Sequence, residues 1–224
     1  MKLLYVLPIL LTLPMMSFAK QVKSTQDIKG YVGFNLNYNS VSLNDAMGEY
    51  LSDELGTSVS TDDLINTNYY GFSLNIGADI NKYFGVEGFL QYMFNSSADV
   101  DFYNIYHIKV GKYESKVSSF AFGIDAIGYL PLADTKVSLI GSAGLGYYTF
   151  NGKFTGTNYI YDLKDSDSSD ESNVAFRIGF GAQYAFSEKF AARGMVRYVA
   201  LNSDEDKDTV EGLIDVSLGV KYTF

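Results

Sequence analysis

The last ten residues, 215-DVSLGVKYTF-224, alternate strictly between two kinds of side chain. Val216, Leu218, Val220, Tyr222 and Phe224 fall on one side, and Asp215, Ser217, Gly219, Lys221 and Thr223 on the other. Period two marks a strand with one apolar and one polar face. A strand left with unpaired backbone groups invites aggregation, so this one is expected to pair elsewhere in the chain. The first alternating segment, around Tyr31–Tyr38, is the candidate partner, and that pairing closes a ring.

Seven further alternating segments precede it. The first, GYVGFNLNYN (30–39), sets Val32, Phe34, Leu36 and Tyr38 against Asn35 and Asn37. NYYGFSLNIGADI (68–80) and YFGVEGFLQYMF (83–94) follow, joined by a tight turn at Asn81-Lys82. SFAFGIDAIGYL (119–130) turns at Pro131–Asp134 into VSLIGSAGLGYY (137–148). NVAFRIGFGAQYAF (173–186) turns at Ser187–Lys189 into FAARGMVRYV (190–199). The connections near 81–82, 131–135 and 187–189 are short, and those at 40–67, 96–116, 151–173 and 201–211 are long. An even number of strands, with short turns at one rim and long loops at the other, describes an eight-stranded antiparallel transmembrane β-barrel, all-β, of the outer-membrane kind. Lipid offers the backbone no hydrogen bonds, so such a sheet must close on itself.

The rest of the chain agrees. MKLLYVLPILLTLPMMSFA (1–19) has one basic residue, a short apolar core and a small-residue ending, as in a secretory signal peptide. Residues 20–29 are read as a short periplasmic segment and 30–224 as the barrel. There is no cysteine, which excludes a disulfide-stapled exported domain. Of three prolines only Pro131 follows the leader, as expected of a chain made almost wholly of paired strands. A soluble ligand-holding barrel is apolar inside and polar outside. Here the polar face carries Asp79, Glu87, Gln91, Asp125, Arg177, Gln183, Arg193, Arg197, Asp215 and Lys221, too many charges for a soluble core of this size. The polar face is therefore expected inside, and all the large apolar groups outside. Aromatic residues fall near both strand ends, as in two interfacial girdles.

An eight-stranded barrel is only wide enough to be filled by side chains, and charges inside must pair. A hairpin centred near residue 206 sets Arg197 opposite Asp215, with Glu87, Asp125, Arg177 and Arg193 completing a mixed-sign network. The network reads as a polar plug, with a narrow ion path as the alternative. Catalysis finds no support. The one histidine, His107, has no serine two residues on, and the adjacent Asp62 and Asp63 sit in a merely acidic segment. No catalytic residue, cofactor or metal is expected.

The four long loops hold 19 of the 26 acids against six basic residues, which gives nucleic acid no basic surface to bind. NDAMGEYLSDEL (44–55) is compatible with a short amphipathic helix capped by Asn44. DLKDSDSSDES (162–172) and NSDEDKDTVE (202–211) read as solvated, mobile loops, since their spacing is not that of a calcium-binding loop. The second loop alternates apolar and polar residues and is expected to continue its strands as a raised hairpin. Its Phe102, Tyr103, Tyr106 and Tyr113 form a candidate partner-binding rim.

GSAGLGYY (141–148) and SLGVKYTF (217–224) resemble the glycine-alternating fifth strand and the C-terminal strand of the small outer-membrane β-barrel superfamily, which includes opacity-type and OmpA-, OmpX- and Ail-type proteins. The resemblance implies that the barrel-assembly machinery reads Ser217, Gly219, Tyr222 and Phe224. It implies outer-membrane lipid and lipopolysaccharide as surroundings, a monomer, and adhesion or host and serum protein binding through the loops. OmpA-type proteins continue into a peptidoglycan-binding domain, so no cell-wall tether is expected of a chain stopping at the barrel.

Overall fold

The computed structural model describes residues 28–43, 67–103, 106, 108–161, 163–202 and 210–224. The expected leader and most of the segment after it, the expected helix at 44–55, Asp62, Asp63, His107 and residues 203–209 lie outside them.

Each alternating segment is a strand. In chain order these are β1 Lys29–Leu43, β2 Asn68–Asn81, β3 Phe84–Tyr103, β4 Lys109–Pro131, β5 Val137–Asn158, β6 Leu163–Ala185, β7 Phe190–Leu201 and β8 Val210–Thr223. Every strand pairs with its sequence neighbours, and β1 pairs antiparallel with β8 from Tyr31 opposite Thr223 upward, so the sheet is a closed barrel. The C-terminal strand thus has its partner where the alternation placed it, and Phe224 N–H donates to Gly30 O at 3.0 Å.

The short turns are held locally. Asn81 Oδ1 accepts from Tyr83 N–H at 2.8 Å, and Ser187 Oγ accepts from Phe190 N–H at 3.0 Å. In the turn after Pro131, Asp134 adopts φ of 60°, the left-handed region that Asp tolerates better than most residues.

The outer surface is apolar. Leu218, Ile76, Phe180 and Phe34 are all exposed. On β4 the outward apolar series runs from Phe120 to Leu130, about 25 Å along the barrel axis at the usual strand tilt. Rings rim both ends. Phe186, Phe190, Tyr222 and Phe224 form a contact chain at the short-turn end. Phe72, Tyr92 and Phe94, with Tyr38 against Tyr70 and Phe122 against Tyr147, gather toward the long-loop end.

The inside departs from expectation in one respect. It is not purely polar, since Phe89, Met93, Tyr148, Phe150, Leu201 and Leu213 are buried in one apolar cluster toward the long-loop end. Ile127, Tyr129, Ile140 and Met195 form a smaller one toward the turns. An interior this narrow excludes bulk water, so inward positions away from the charged layer gain more from packing than from polarity.

Strands β3 to β6 outrun their neighbours. They are 20, 23, 22 and 23 residues long, against 15 for β1 and 12 for β7. The second long connection is the expected hairpin. The third is a correction: residues 151–158 and 163–173 are paired strand from Asn151 opposite Asp170 to Asn158 opposite Leu163, not a mobile loop. The backbone ladder does not depend on apolar side chains, and hydroxyl contacts add to it, Thr149 with Ser172 at 3.1 Å and Thr155 with Ser166 at 3.3 Å. Asn158 Oδ1 accepts from Ile160 N–H at 3.0 Å and so folds the tip.

Candidate functional site

Two regions collect the chain's unusual chemistry. The first is the charged layer in the barrel. Inward alternation brings Glu87 of β3, Asp125 of β4, Arg177 of β6, Arg193 and Arg197 of β7 and Asp215 of β8 to one level, each 2% exposed or less. Glu87 and Asp125 are directly opposite each other, a repulsive arrangement that cations must offset. Arg193 grips Glu87 with both terminal guanidinium nitrogens, Nη1 and Nη2, at 2.6 and 3.0 Å, a fork geometry that only Arg supplies. Tyr31 Oη donates to the same carboxylate at 3.0 Å, and Asn75 Nδ2 also donates to it. Asp125 lies 3.6 Å from Arg177 and 3.9 Å from Arg197. Arg197 stands opposite Asp215, as the hairpin register required, at 3.7 Å, and donates to Ser217 Oγ at 2.9 Å. Asn37 donates to Asp215 at 3.0 Å.

All six network residues therefore meet, and two inward residues extend the layer. Lys221 reaches Asp79 at 2.7 Å, Tyr129 Oη at 3.2 Å and the face of Tyr31 at 3.8 Å. Space for the layer comes from Gly144, whose position opposite Asp125 leaves no room for a Cβ, and from Gly179, where a Cβ would lie 2.6 Å from Arg197 Cγ. The layer is roofed by the apolar cluster. The Arg177 guanidinium sits 3.5 Å over the Phe89 ring. Charge pairing below gives way above to apolar side chains interleaved with buried Asn39, Gln91, Ser115 and Ser119.

The second region is the raised sheet formed by β3–β6 beyond the apolar band. On its axis-facing side Tyr113 stacks on Phe154 at 6.2 Å, and both pack with Val100 against the interior cluster. Tyr113 is therefore not part of an exposed rim. Odd positions of β4 face inward, and burial pushes its hydroxyl pKa up. Tyr106 is 75% exposed at the hairpin tip. The side chains of Phe102 and Tyr103 lie outside the described residues, so only their backbone, at the end of β3, is placed. On the opposite side Lys112 bonds Glu114 at 2.6 Å and Asp99 at 3.2 Å, and those bonds hold its amine above the ordinary lysine range.

Among the described residues the sheet's β6 edge has no β7 partner beyond Val174, whose carbonyl accepts from Asn202 N–H at 2.9 Å. The edge is blunted from within. Asp165 accepts from Ser166 N–H at 2.9 Å and Asp167 from Ser168 N–H at 2.8 Å, so side chains occupy amides that another strand would otherwise claim.

The tip itself is a surface of which the sequence reading named only Tyr106. Tyr106, Ile108, Tyr159, Ile160, Tyr161 and Leu163 are between 49% and 75% exposed. The two hairpins are tied there. Tyr159 N–H donates to Val110 O at 2.9 Å, and Lys109 lies over the Tyr159 ring at 5.6 Å while pairing with Asp101 at 2.7 Å. The signal was NYIY (158–161), the end of an uncharged run that directly precedes the acid-rich stretch starting at Asp162. From Tyr147 to Tyr159 is 12 residues, about 30 Å along the axis at the usual tilt, so the tip stands well clear of the apolar band.

Ser217, Gly219, Tyr222 and Phe224 share β8 and the C-terminus but do not form a pocket. Ser217 is buried inward, and Tyr222 and Phe224 meet edge to face at 5.6 Å on the outer rim.

Known structures share the fold. A major outer membrane protein from Thermus thermophilus is 13% identical, with a TM-score of 0.52, over 86% of this chain and 99% of that one. Neisserial surface protein A is 14% identical, with a TM-score of 0.51, over 89% and 100%. Ail, the attachment invasion locus protein of Yersinia pestis, is 18% identical, with a TM-score of 0.46, over 89% and 100%. No curated protein matches the chain. Residues 7–224 match the family described as outer membrane protein beta-barrel domain. With a closed eight-stranded ring, a lipid-facing exterior and that match, the chain belongs to the outer membrane protein β-barrel family and resides in the bacterial outer membrane.

Proposed function

We propose that this protein is a surface-interaction barrel, an adhesin or surface antigen in class, that meets host or serum proteins through the tip of its raised sheet. The observation that carries the reading is the tip. Six large apolar or aromatic side chains stand exposed together on a paired, cross-tied β-scaffold. Contiguous exposed apolar groups mark interaction surfaces, and tyrosines on a rigid support supply contact area at low entropic cost. The acids of β6 below the tip favour a partner with basic residues beside its apolar contact. The blunted edge limits pairing between like copies, which agrees with a monomer.

The mutual pairing of the charged layer supports a structural role for the network, a polar plug rather than a solute path.

Whole cells of a laboratory Gram-negative strain displaying the intact protein should capture one or more labelled serum or matrix proteins. Cells displaying Tyr159→Ser/Ile160→Ser/Tyr161→Ser at equal surface level should lose at least tenfold in capture. Equal capture by both would sink the tip as the contact surface.

A further inference from the structure

Above the outer ring of aromatics, Lys116 of β4 and Lys153 of β5 stand directly opposite each other on the side of the raised sheet that faces away from the barrel axis. Both are exposed. Like charges at opposed positions destabilise a sheet, so such a pair needs an anion to be comfortable. Among the described residues neither lysine makes an ion pair. Asp99 and Glu114, the nearby acids of β3 and β4, are both bound to Lys112. Asp170, on the same side of β6, forms no ion pair with Lys153. Ser118, Asn151 and Ser168 flank the pair with hydroxyl and amide groups: Ser118 stands opposite Asn151, and Lys153 opposite Ser168.

Height decides what can reach it. Lys116 lies four residues beyond Phe120, on the same side of the strand, about 10 Å above the top of the apolar band at the usual tilt. That level is the headgroup layer of the outer leaflet, well below the tip. A lipid seated there can lay its acyl chains on Phe120, Phe122 and Tyr147, which are exposed directly beneath.

We propose that Lys116 and Lys153 form a binding site for the phosphate groups of the phosphorylated glycolipid of the outer leaflet. Two ammonium groups on flexible stems act as paired point charges, which suits phosphate. The site rests on the membrane location and not on the interaction proposed for the tip. By this account the sheet carries a cationic foot that grips the leaflet and an acidic, aromatic upper part that meets partners.

The test uses the full barrel refolded in detergent and titrated with lipid by native mass spectrometry. Folding of each variant is checked by its heat-dependent shift on a gel. The probes are bisphosphorylated lipid A, the same lipid A with both phosphates removed, and inorganic phosphate. The wild type should hold the bisphosphorylated lipid more tightly than the dephosphorylated one. Lys116→Gln/Lys153→Gln should lose roughly fivefold in affinity per lysine, the equivalent of about 1 kcal/mol each, and bind dephosphorylated lipid as the wild type does. The charge-matched control Lys82→Gln/Lys189→Gln, in turns at the opposite rim, should retain wild-type affinity. Equal affinity of the Lys116/Lys153 variant and the wild type would overturn the proposal, as would equal loss in the control. Displacement of the lipid by inorganic phosphate at matched phosphate concentration would reduce the site to a bare anion patch and overturn the lipid assignment.

Discussion

The membrane band and the raised sheet are built from the same strands by opposite means. Within the band, eight strands close a ring, the outside is apolar for lipid, and the interior is a layer of paired charges under a packed apolar cluster. Above it, four strands stand as an open sheet with polar outer faces, Tyr113 on Phe154 at its root and exposed aromatics at its top. In the band every backbone group must pair within the sheet, because lipid offers none. Above it water can serve, and the strands persist through their ladder and local side-chain bonds. Residues that a mutation would punish should therefore concentrate in the band, and residues that decide partners in the sheet.

The largest contrast lies in the charge layer. Glu87→Leu strands Arg193 in a water-poor interior and should cost about 3–5 kcal/mol, read as a lowered urea midpoint in micelles. Adding Arg193→Met should recover at least half of that loss. A double variant as unstable as the single would show that the pair is more than mutually compensating.

The next contrast places one cation in each region. Leu218→Arg, on the lipid face near mid-band, should cost about 2–4 kcal/mol. Thr157→Arg, on the raised sheet, should stay within about 0.5 kcal/mol. Similar costs in a phospholipid bilayer would mean that the two surfaces do not face different solvents.

Smaller effects sharpen the division inside the raised sheet. Phe154→Ala removes the ring under Tyr113. It should ease local opening of the β5–β6 hairpin by about 1 kcal/mol, visible as faster amide exchange at 151–157 with the global midpoint nearly unchanged. Lys112→Gln should leave the unfolding midpoint unmoved, because exposed ion pairs contribute little.

The band was legible because lipid imposes a strict rule on the outer face. Val216, Leu218, Val220 and Tyr222 alternate without a fault, and Arg197 opposite Asp215 followed from counting through one hairpin. The inner face was only half legible. Met93, Tyr148 and Leu213 occupy inward positions where a uniformly polar lining was expected, since period two assigns a face but not what that face packs against. Residues 162–172 read as a solvated loop because their composition is that of one. The pairing that makes 163–172 strand comes from β5, through backbone contacts no side-chain pattern announces. The tip was hidden for the same reason. Tyr159, Ile160 and Tyr161 directly precede an acid-rich run, and only the β4–β5 pairing, continued by the bond from Tyr159 N–H to Val110 O, carries them to the end of the hairpin that bears Tyr106 and Ile108.

The central claim is that the barrel carries a true four-stranded sheet above the membrane, and residue-resolved amide exchange in a lipid nanodisc tests it most directly. On β6 above Val174 the amides of Lys164, Asp170 and Ser172 point to the open edge, while those of Asp165, Asp167 and Glu171 point to β5. The account predicts alternating exchange along 163–173, fast at the edge-facing amides and slowed at least tenfold at those paired with β5. Uniformly fast exchange through 151–173 would contradict it and return this segment to the mobile loop that its composition suggests.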